Sequence, residues 1–264
     1  MSNNPTTNSA PQTHLVVIPA YNAGEMLEVT VRSAMAQWSP VWVVIDGSTD
    51  GSGDALVSKL SDKPGVRIMQ LAENKGKGAA VLHALEIAGE AGFTHALTMD
   101  ADGQHPAGDI QRFMQASIAQ PDAMILGRPV FDEQAPALRV KGRRISNWWA
   151  NLETLGHGVG DSLFGFRVYP IGPLRSIMNA RPWMRRFDFD VEAVVRLSWR
   201  GVTPVNLDAP VRYPRPEDGG VSHFRYGRDN VLLTWMHIRL VVEFLLRLPV
   251  LVWRRMKSTK QAPH

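Results

Sequence analysis

Two aspartates separated by one small residue, Asp100 and Asp102, are the strongest chemical signal in the sequence. Carboxylates held so close together repel each other unless a cation lies between or beside them. Mg²⁺ or Mn²⁺ suits such oxygen ligands, because these ions bind one or two carboxylates together with substrate phosphates. Gln104 adds a neutral oxygen, whereas His105 suits a hard ion less well. The segment therefore predicts a divalent metal site formed by Asp100, Asp102 and Gln104.

A second chemical signal is the turn that contains Gly76 and Gly78, with Lys75 and Lys77 interleaved. Glycines at the start of a helix let a phosphate approach the backbone N–H groups, and the lysines add positive charge. The turn matches neither the P-loop nor the dinucleotide-binding fingerprint. A phosphate site and a plain glycine-capped turn therefore remain equal interpretations of this turn taken alone.

These residues need a framework, and the first half of the chain predicts an α/β domain. Short apolar segments alternate with polar turns and helix-length stretches, as in a mostly parallel sheet covered by helices. The predicted strands are 15–18, 41–45, 66–71, 95–99 and 123–126, and the clearest helix is 76–91. Polar clusters begin at or just after the first four strand ends, at 19–22, 46–51, 74–78 and 100–105. Because the carboxyl ends of parallel strands meet at one edge, we expect one site.

The second half of the chain has a different pattern. Helices are predicted at 139–155 and 191–199 and a strand at 164–169, adding strands to one edge of the same sheet. Residues 230–256 are strongly apolar, but Arg239, Glu243 and Arg247 interrupt them and Pro249 would bend a helix. This pattern favours a pair of amphipathic helices in a membrane interface over a spanning helix, the alternative being a core-packing helix.

Composition and charge limit the possible chemistry further. The 264 residues include no cysteine, which excludes thiolate metal sites and a cysteine nucleophile. Residues 1–138 carry 8 Lys and Arg against 15 Asp and Glu, whereas residues 139–264 carry 21 against 10. A basic C-terminal half suits an anionic surface. We expect a disordered segment at 1–13, a catalytic domain at 14–229 and a membrane-interface segment at 230–264. We expect the protein at the cytoplasmic face of the inner membrane, as a peripheral or monotopic protein.

Together these motifs resemble the inverting family 2 glycosyltransferases of GT-A fold, in particular the branch similar to dolichyl-phosphate mannose synthase and its bacterial relatives. The matching features are Pro-Ala-Tyr-Asn at 19–22, Asp-Gly-Ser-Thr-Asp-Gly at 46–51, Asn-Lys-Gly-Lys-Gly at 74–78, Asp-Ala-Asp-Gly-Gln-His-Pro at 100–106, and Gly-Phe-Arg at 165–167 preceded by Asp161. The resemblance covers about residues 14–215. The family turn usually begins Asp-Asp-Gly-Ser, whereas here Ile45 precedes Asp46, so both UDP and GDP remain open as the donor nucleotide.

The resemblance implies transfer of a sugar from a UDP- or GDP-sugar to a lipid-linked or membrane-proximal acceptor, a polyprenyl phosphate or a hydroxyl. It also implies roles for individual residues. Asp102 and Gln104, with Asp100, would bind Mg²⁺ or Mn²⁺ on the diphosphate, and Lys77 would lie near the donor. The other residues expected around the donor are Pro19, Tyr21, Asn22, Asp46, Arg167, His223 and Arg225, with Arg212 and Arg228 as further arginine candidates.

The acceptor side of the reaction points to the acidic segment Phe187-Asp188-Phe189-Asp190-Val191-Glu192. An acceptor hydroxyl needs a carboxylate to take its proton, and Asp190 is the first candidate, with Asp188 beside it. A lipid phosphate is already an anion and needs no base. In that case the acids would instead orient arginines or cap the helix.

Three other functions compete with a glycosyltransferase. A sugar-phosphate nucleotidyltransferase would share the fold and the metal, but it would normally carry a glycine-rich stretch where Pro-Ala-Tyr-Asn stands. A non-catalytic, membrane-associated nucleotide-binding protein is expected to lose the acidic pair, which is present. Nucleic-acid binding is not favoured, because the aromatic residues of the basic half lie mainly in apolar runs and do not alternate with basic residues on strands.

Overall fold

One seven-stranded sheet forms the centre of the molecule. A computed structural model describes residues 12–131, 137–211 and 226–261, without the side chains of 137–141, 226–230 and 258–261. The strands are β1 (His14–Ala20), β2 (Val41–Asp46), β3 (Val66–Leu71), β4 (His95–Thr98), β5 (Ala123–Val130), β6 (Arg167–Pro170) and β7 (Thr203–Pro210). Their order is β3-β2-β1-β4-β6-β5-β7, and only β6 runs antiparallel to its neighbours.

Helices cover both faces of this sheet. They are α1 (Met26–Met35), α2 (Ser52–Leu60), α3 (Lys77–Glu90), α4 (Ile110–Ala119), α5 (Ala137–Glu153), α6 (Ile171–Asn179), α7 (Phe189–Trp199) and α8 (Tyr226–Gln261). Helices α1, α2 and α4 bury their apolar residues on one face, and α3, α6 and α7 on the other. Helices α5 and α8 then pack on the outer side of α7. Every residue of α7 is therefore buried.

The predicted α/β architecture is confirmed, because the apolar segments of the first half are the buried strands of the sheet. All residues of β1 and β2 are buried, as expected for strands with helices on both faces. The second half differs from the prediction, since only β7 extends an edge of the sheet. Strand β6 instead enters between β4 and β5. The sequence pattern did not indicate β7 or α6; β7 carries two prolines, which an edge strand tolerates.

The C-terminal apolar region is one continuous helix, where the sequence predicted a pair. Pro249 lies inside α8. A proline in a helix removes the hydrogen bond to the carbonyl four residues earlier, here that of Leu245. Both residues lie on the exposed side of α8, where water can bind the freed carbonyl. Within the described residues, no helix combines the length and apolar character needed to cross a membrane.

The N-terminal segment predicted at 1–13 lies outside the described residues, apart from its last two. Thr13 already belongs to the fold, because its carbonyl oxygen accepts the backbone N–H groups of Thr94 and His95 at 2.9 and 3.1 Å. Thr13 thus lies next to the amino end of β4.

Candidate active site at the carboxyl edge of the sheet

The loops that follow β1 and β2 are joined into one wall of the site. The backbone N–H of Asn22 donates to the hydroxyl of Ser48 at 3.0 Å, and the Asn22 side-chain oxygen accepts the backbone N–H of Thr49 at 2.8 Å. Tyr21 is 37% exposed beside them. Pro19, by contrast, lies inside β1 and is buried. Pro19 is thus part of the strand, and its contact with the donor stays a prediction.

Asp46 holds the loop between β3 and α3 in place. Its two carboxylate oxygens accept the backbone N–H groups of Lys75 and Gly76, at 2.8 and 2.7 Å, and the residue is buried. Each oxygen is thus committed to the protein backbone. The Asp46 carboxylate thus positions the segment that leads to Lys77, and its place in the nucleotide pocket stays a prediction.

The glycines of this turn allow protein segments to approach each other. A Cβ atom on Gly76 would collide with the carbonyl oxygen of Arg185, and one on Gly78 would lie 2.5 Å from that of Met184. Gly76 also has a φ of 99°, which side chains rarely adopt. The first N–H groups of α3 are partly used as well, since Ala79 donates to the Arg185 carbonyl at 3.1 Å. Of the two interpretations of this turn, the structure favours close packing over a phosphate cradle.

Lys77 is the centre of the site. Its Nζ lies 2.7 Å from a carboxylate oxygen of Asp100 and 2.7 Å from one of Asp190. Burial alone would lower the pKa of Lys77, but the two carboxylates outweigh burial and raise it. Burial would likewise raise the pKa of Asp100, but Lys77 lowers it to about 2. Gly165 is required here, because a Cβ would come within 2.6 Å of Nζ.

Asp102 is the carboxylate that remains available to a cation. Its Oδ1 accepts the backbone N–H of Gln104 at 3.0 Å, and within the described residues its Oδ2 accepts no hydrogen bond. Burial and the nearby charge of Asp100 raise the pKa of Asp102 to about 6. A cation bound to Asp102 would relieve this repulsion, so the residues fit the predicted metal. Within the described part, no group of three or more acidic or histidine side chains is placed to hold a metal ion. Mg²⁺ usually binds one or two carboxylates together with water and substrate phosphates.

His105 supports the acidic pair, a role that the sequence analysis missed. Its Nδ1 accepts the backbone N–H of Asp100 at 2.8 Å, and its Nε2 lies 3.6 Å from the Asp100 carboxylate. Burial lowers the pKa of His105 to about 4, so the ring is neutral at pH 7. Phe164 packs edge-on against it. Gly103, with a φ of 75°, is the signal for the turn that folds His105 back.

The structure separates the two candidate acids of the acceptor side. Asp190 lies beside Lys77, and its other oxygen, Oδ1, is buried without a hydrogen-bond partner in the described structure. Asp188 accepts the backbone N–H of Arg186 at 3.1 Å and lies 3.7 Å from Arg239 of α8. Burial, with Glu192 nearby, raises the pKa of Asp188 to about 6. Asp188 thus belongs to the α7–α8 contact, and of the two candidate acids Asp190 is the one beside Lys77.

Arg167 does not reach the cleft. It is fully buried, and its guanidinium donates to the Tyr169 hydroxyl at 2.8 Å, to the Asp161 carbonyl at 3.1 Å and to the Asp190 carbonyl. These contacts fix the first turn of α7, which carries Asp190, and do not favour the predicted contact of Arg167 with the donor diphosphate. The predicted residues Arg212, His223 and Arg225 and the side chain of Arg228 lie outside the described residues.

A cavity of the described structure lies at the opposite edge of the sheet. It has a volume of about 570 Å³ and is lined by His95, Pro170, Arg175 and Arg200, among others. The acidic residues of the carboxyl edge do not line it. Paired ionisable groups with displaced pKa values make the carboxyl edge the candidate chemical site, in preference to this cavity.

Comparisons with known proteins give a family match for this chain. The sequence model of a family described as Glycosyl transferase family 2 matches residues 15–177. An undecaprenyl-phosphate mannosyltransferase of Micrococcus luteus is 28% identical, over 78% of this chain and 85% of the relative. A polyprenol monophosphomannose synthase of Mycolicibacterium smegmatis is 29% identical, over 75% of both chains.

A solved structure confirms the expected fold. Glucosyl-3-phosphoglycerate synthase of Mycobacterium tuberculosis, in complex with Mn²⁺, UDP-glucose and phosphoglyceric acid, superposes with a TM-score of 0.61. The match covers 89% of this chain and 80% of that one, at 16% sequence identity. The GT-A fold expected from the motifs is therefore confirmed.

Proposed function

The chain belongs to glycosyl transferase family 2, and from this premise we propose that it transfers a sugar, with inversion, from a nucleotide-diphosphate sugar to a polyprenyl phosphate. Its enzyme class is glycosyltransferase. The observation that carries the proposal is the Lys77 ammonium held between Asp100 and Asp190, with Asp102 beside it, at the carboxyl edge of the sheet. The relatives named above act on undecaprenyl phosphate and form polyprenol monophosphomannose, so mannose is the first sugar to test.

The donor side of the proposed reaction uses a divalent cation, Mg²⁺ or Mn²⁺. Asp102 would hold the ion, with Asp100 and Gln104 beside it, and the donor diphosphate would complete its coordination. The ion supplies positive charge to the leaving diphosphate as the glycosidic bond breaks. Lys77 keeps Asp100 ionised and fixed in position, so that the acidic pair does not have to reorganise when the donor binds.

Asp190 is proposed to act on the acceptor. An acceptor oxygen attacks the anomeric carbon on the side opposite the leaving diphosphate, and this in-line displacement inverts the configuration. If that oxygen carries a proton, as a hydroxyl does and as a phosphate monoester partly does near pH 6, the unpaired Oδ1 of Asp190 takes it. Lys77 orients the carboxylate through Oδ2.

Purified protein incubated with Mn²⁺, a polyprenyl phosphate and a labelled UDP- or GDP-sugar tests the proposed function. The expected result is label transfer from one donor to the lipid phosphate, with an inverted anomeric linkage and loss of transfer when EDTA removes the metal. The corresponding polyprenol, which lacks the phosphate, is the matched acceptor control. Absence of transfer from every donor, or full activity in EDTA, would contradict the proposal.

We also propose that α8 docks on the membrane surface that carries the acceptor. The outward stripe of α8, defined as Trp235, Ile238, Val242, Leu245, Leu246, Val250 and Trp253, is apolar and about half exposed or more at each position. On α5, Ile145 and Trp148 are 64% and 60% exposed. Basic residues end α8, at Arg254, Arg255 and Lys257. An apolar stripe with basic residues beside it suits an interfacial helix on anionic lipid.

Glutamate substitutions within the outward stripe test this docking. Trp235→Glu combined with Leu246→Glu should weaken binding to vesicles of anionic phospholipid about tenfold or more, since each buried side chain contributes about 1.5–3 kcal/mol. Ile118→Glu is the matched control, because Ile118 is equally exposed but lies on α4. Cosedimentation measures the binding. Equal binding by the double variant and the wild type would rule out α8 as the docking element.

A further inference from the structure

The loop between α6 and α7, residues 180–188, connects the candidate active site with α8. On one side, the Arg185 carbonyl oxygen accepts the backbone N–H of Ala79, at the start of the helix that carries Lys77. On the other side, Arg181 pairs with Glu243 of α8 at 2.8 Å. The same loop then leads into α7, which carries Asp190. The loop therefore contacts the start of α3 and α8 and leads to Asp190.

Within the described residues, the site offers little positive charge to an anionic acceptor. In this part of the chain, Lys77 is the one Lys or Arg side chain that pairs with the carboxylates of Asp100 and Asp190, and Asp102 adds a further negative charge. A metal bound to the donor would be offset by the donor diphosphate. A phosphate that approaches Asp190 is therefore repelled unless another cation accompanies it, because like charges at such short range strongly disfavour each other.

Most arginines near α7 already form ion pairs with glutamates. Within the described residues, Arg181, Arg196 and Arg247 pair with Glu243, and Arg239 pairs with Glu192. The pairs of Arg181, Arg196 and Arg239 join α8 to the domain, so they cannot be given up to a ligand without cost. An acceptor phosphate needs an arginine outside this network.

Arg186 is such a residue. Its side chain is exposed and makes no hydrogen bond or ion pair with any residue in the described ranges. Its stem lies against Gly76, since a Cβ added there would come within 2.8 Å of the Arg186 Cγ. The backbone N–H of Arg186 donates to Asp188, which fixes the loop. Arg186 thus carries an unpaired charge four residues before Asp190.

Two exposed aromatic residues accompany this charge. Phe187 is 45% exposed and Trp183 is 39% exposed, and the Trp183 ring lies under the Arg239 guanidinium of α8 at 5.4 Å. A free guanidinium next to exposed aromatic rings matches a ligand with an anionic head and an apolar tail. Polyprenyl phosphate has this chemistry.

We infer that Arg186 binds the phosphate of the polyprenyl phosphate acceptor, while Phe187 and Trp183 contact the first isoprenyl units of its tail. The inference rests on the proposed function and specifies its acceptor site. Arg186 offsets the repulsion between the acceptor phosphate and the carboxylates, and it guides the attacking oxygen toward Asp190. Arg186 is a binding residue, so its loss acts on acceptor affinity and leaves donor binding intact.

Steady-state kinetics with a short-chain, water-soluble polyprenyl phosphate test the inference. Arg186→Gln should raise the acceptor KM about 10- to 100-fold, the range expected for a charge-assisted hydrogen bond, with donor KM and unfolding temperature unchanged. Arg186→Lys should recover part of the loss. Phe187→Ser should raise the acceptor KM several-fold by removing apolar contact. Arg200→Gln, an exposed arginine at the other end of α7, is the matched control and should behave like the wild type.

The outcomes separate the inference from the function on which it rests. If the wild type transfers sugar to the lipid phosphate and Arg186→Gln has an unchanged acceptor KM, the inference is overturned and the proposed function stands. If Arg186→Gln raises donor and acceptor KM alike, Arg186 belongs to the donor site and the inference is likewise overturned. If the wild type transfers nothing to any polyprenyl phosphate, the inference and the proposed function are both overturned.

Discussion

Asp102→Asn is expected to lower the turnover number by about a thousandfold or more while the protein remains folded. The proposed metal neutralises charge on the leaving diphosphate, and electrostatic stabilisation of this kind contributes several kcal/mol to catalysis. Asn keeps the shape of Asp102 and can still accept the Gln104 backbone N–H, but it lacks the charge that holds a divalent cation. The turnover number at saturating donor and acceptor, with Mn²⁺ present, measures the effect.

Asp102→Asn lowers the turnover number but is expected to maintain or raise the stability of the folded protein. Burial and Asp100 raise the pKa of Asp102 to about 6, so at pH 7 the folded protein holds a carboxylate that its surroundings disfavour. Neutral Asn removes this repulsion. The free energy of unfolding of the metal-free variant should therefore equal or exceed that of the wild type.

Ligand binding gives this prediction a readout that is independent of turnover. Mn²⁺ and nucleoside diphosphate together should raise the unfolding temperature of the wild type and not that of Asp102→Asn. Asp122→Asn, the same chemical change at the opposite edge of the sheet, is the control. Wild-type activity in Asp102→Asn, or a wild-type thermal shift with the metal, would contradict the metal site.

Asp190→Asn is expected to lower the turnover number about a hundredfold near pH 6, with donor binding unchanged. General base catalysis typically contributes factors of this size or larger. The carboxylate is well placed for this role, since Lys77 holds Oδ2 while Oδ1 has no hydrogen-bond partner in the described residues. Lys77 keeps its second contact, with Asp100, so the site should retain its geometry in the variant.

The pH dependence of the turnover number of Asp190→Asn distinguishes a general base from a residue that only positions other groups. A phosphate monoester loses its second proton near pH 6, so at pH 8 the acceptor has no proton left to remove. With the phosphate acceptor at pH 8, the turnover number of Asp190→Asn should therefore be only about tenfold or less below that of the wild type. Asp188→Asn serves as the comparison, because Asp188 contacts Arg239 outside the site, and its effect should be small. If the ratio of the wild-type turnover number to that of Asp190→Asn stays constant from pH 6 to pH 8, Asp190 is excluded as a base.

The family assignment also decides between the alternatives that the sequence left open. A nucleotidyltransferase and a non-catalytic binding protein were both compatible with an acidic pair at the edge of a parallel sheet. The match to glycosyl transferase family 2 over residues 15–177 favours sugar transfer. The Asp46 contacts also explain how the turn functions without the usual second aspartate: the one carboxylate present is used to hold the Lys75–Gly76 backbone.

The sequence by itself determined the α/β class, the buried strands of the first half and the edge at which the site forms. Apolar runs such as Val41–Ile45 are local patterns, and local patterns predict strands that are buried on both faces. The acidic pair was equally visible, because Asp100 and Asp102 are close in the chain. Parallel strands then bring their carboxyl ends together whatever the details of packing.

Only the tertiary structure decided which charged residues meet. Lys77 and Asp190 are 113 positions apart, and no periodic pattern links them. Arg167 and Lys77 are both basic residues near glycines, yet Arg167 is locked into buried backbone contacts because β6 enters between β4 and β5. The direction of a side chain at such a contact depends on the packing of all its neighbours, which the sequence pattern of a single segment does not contain.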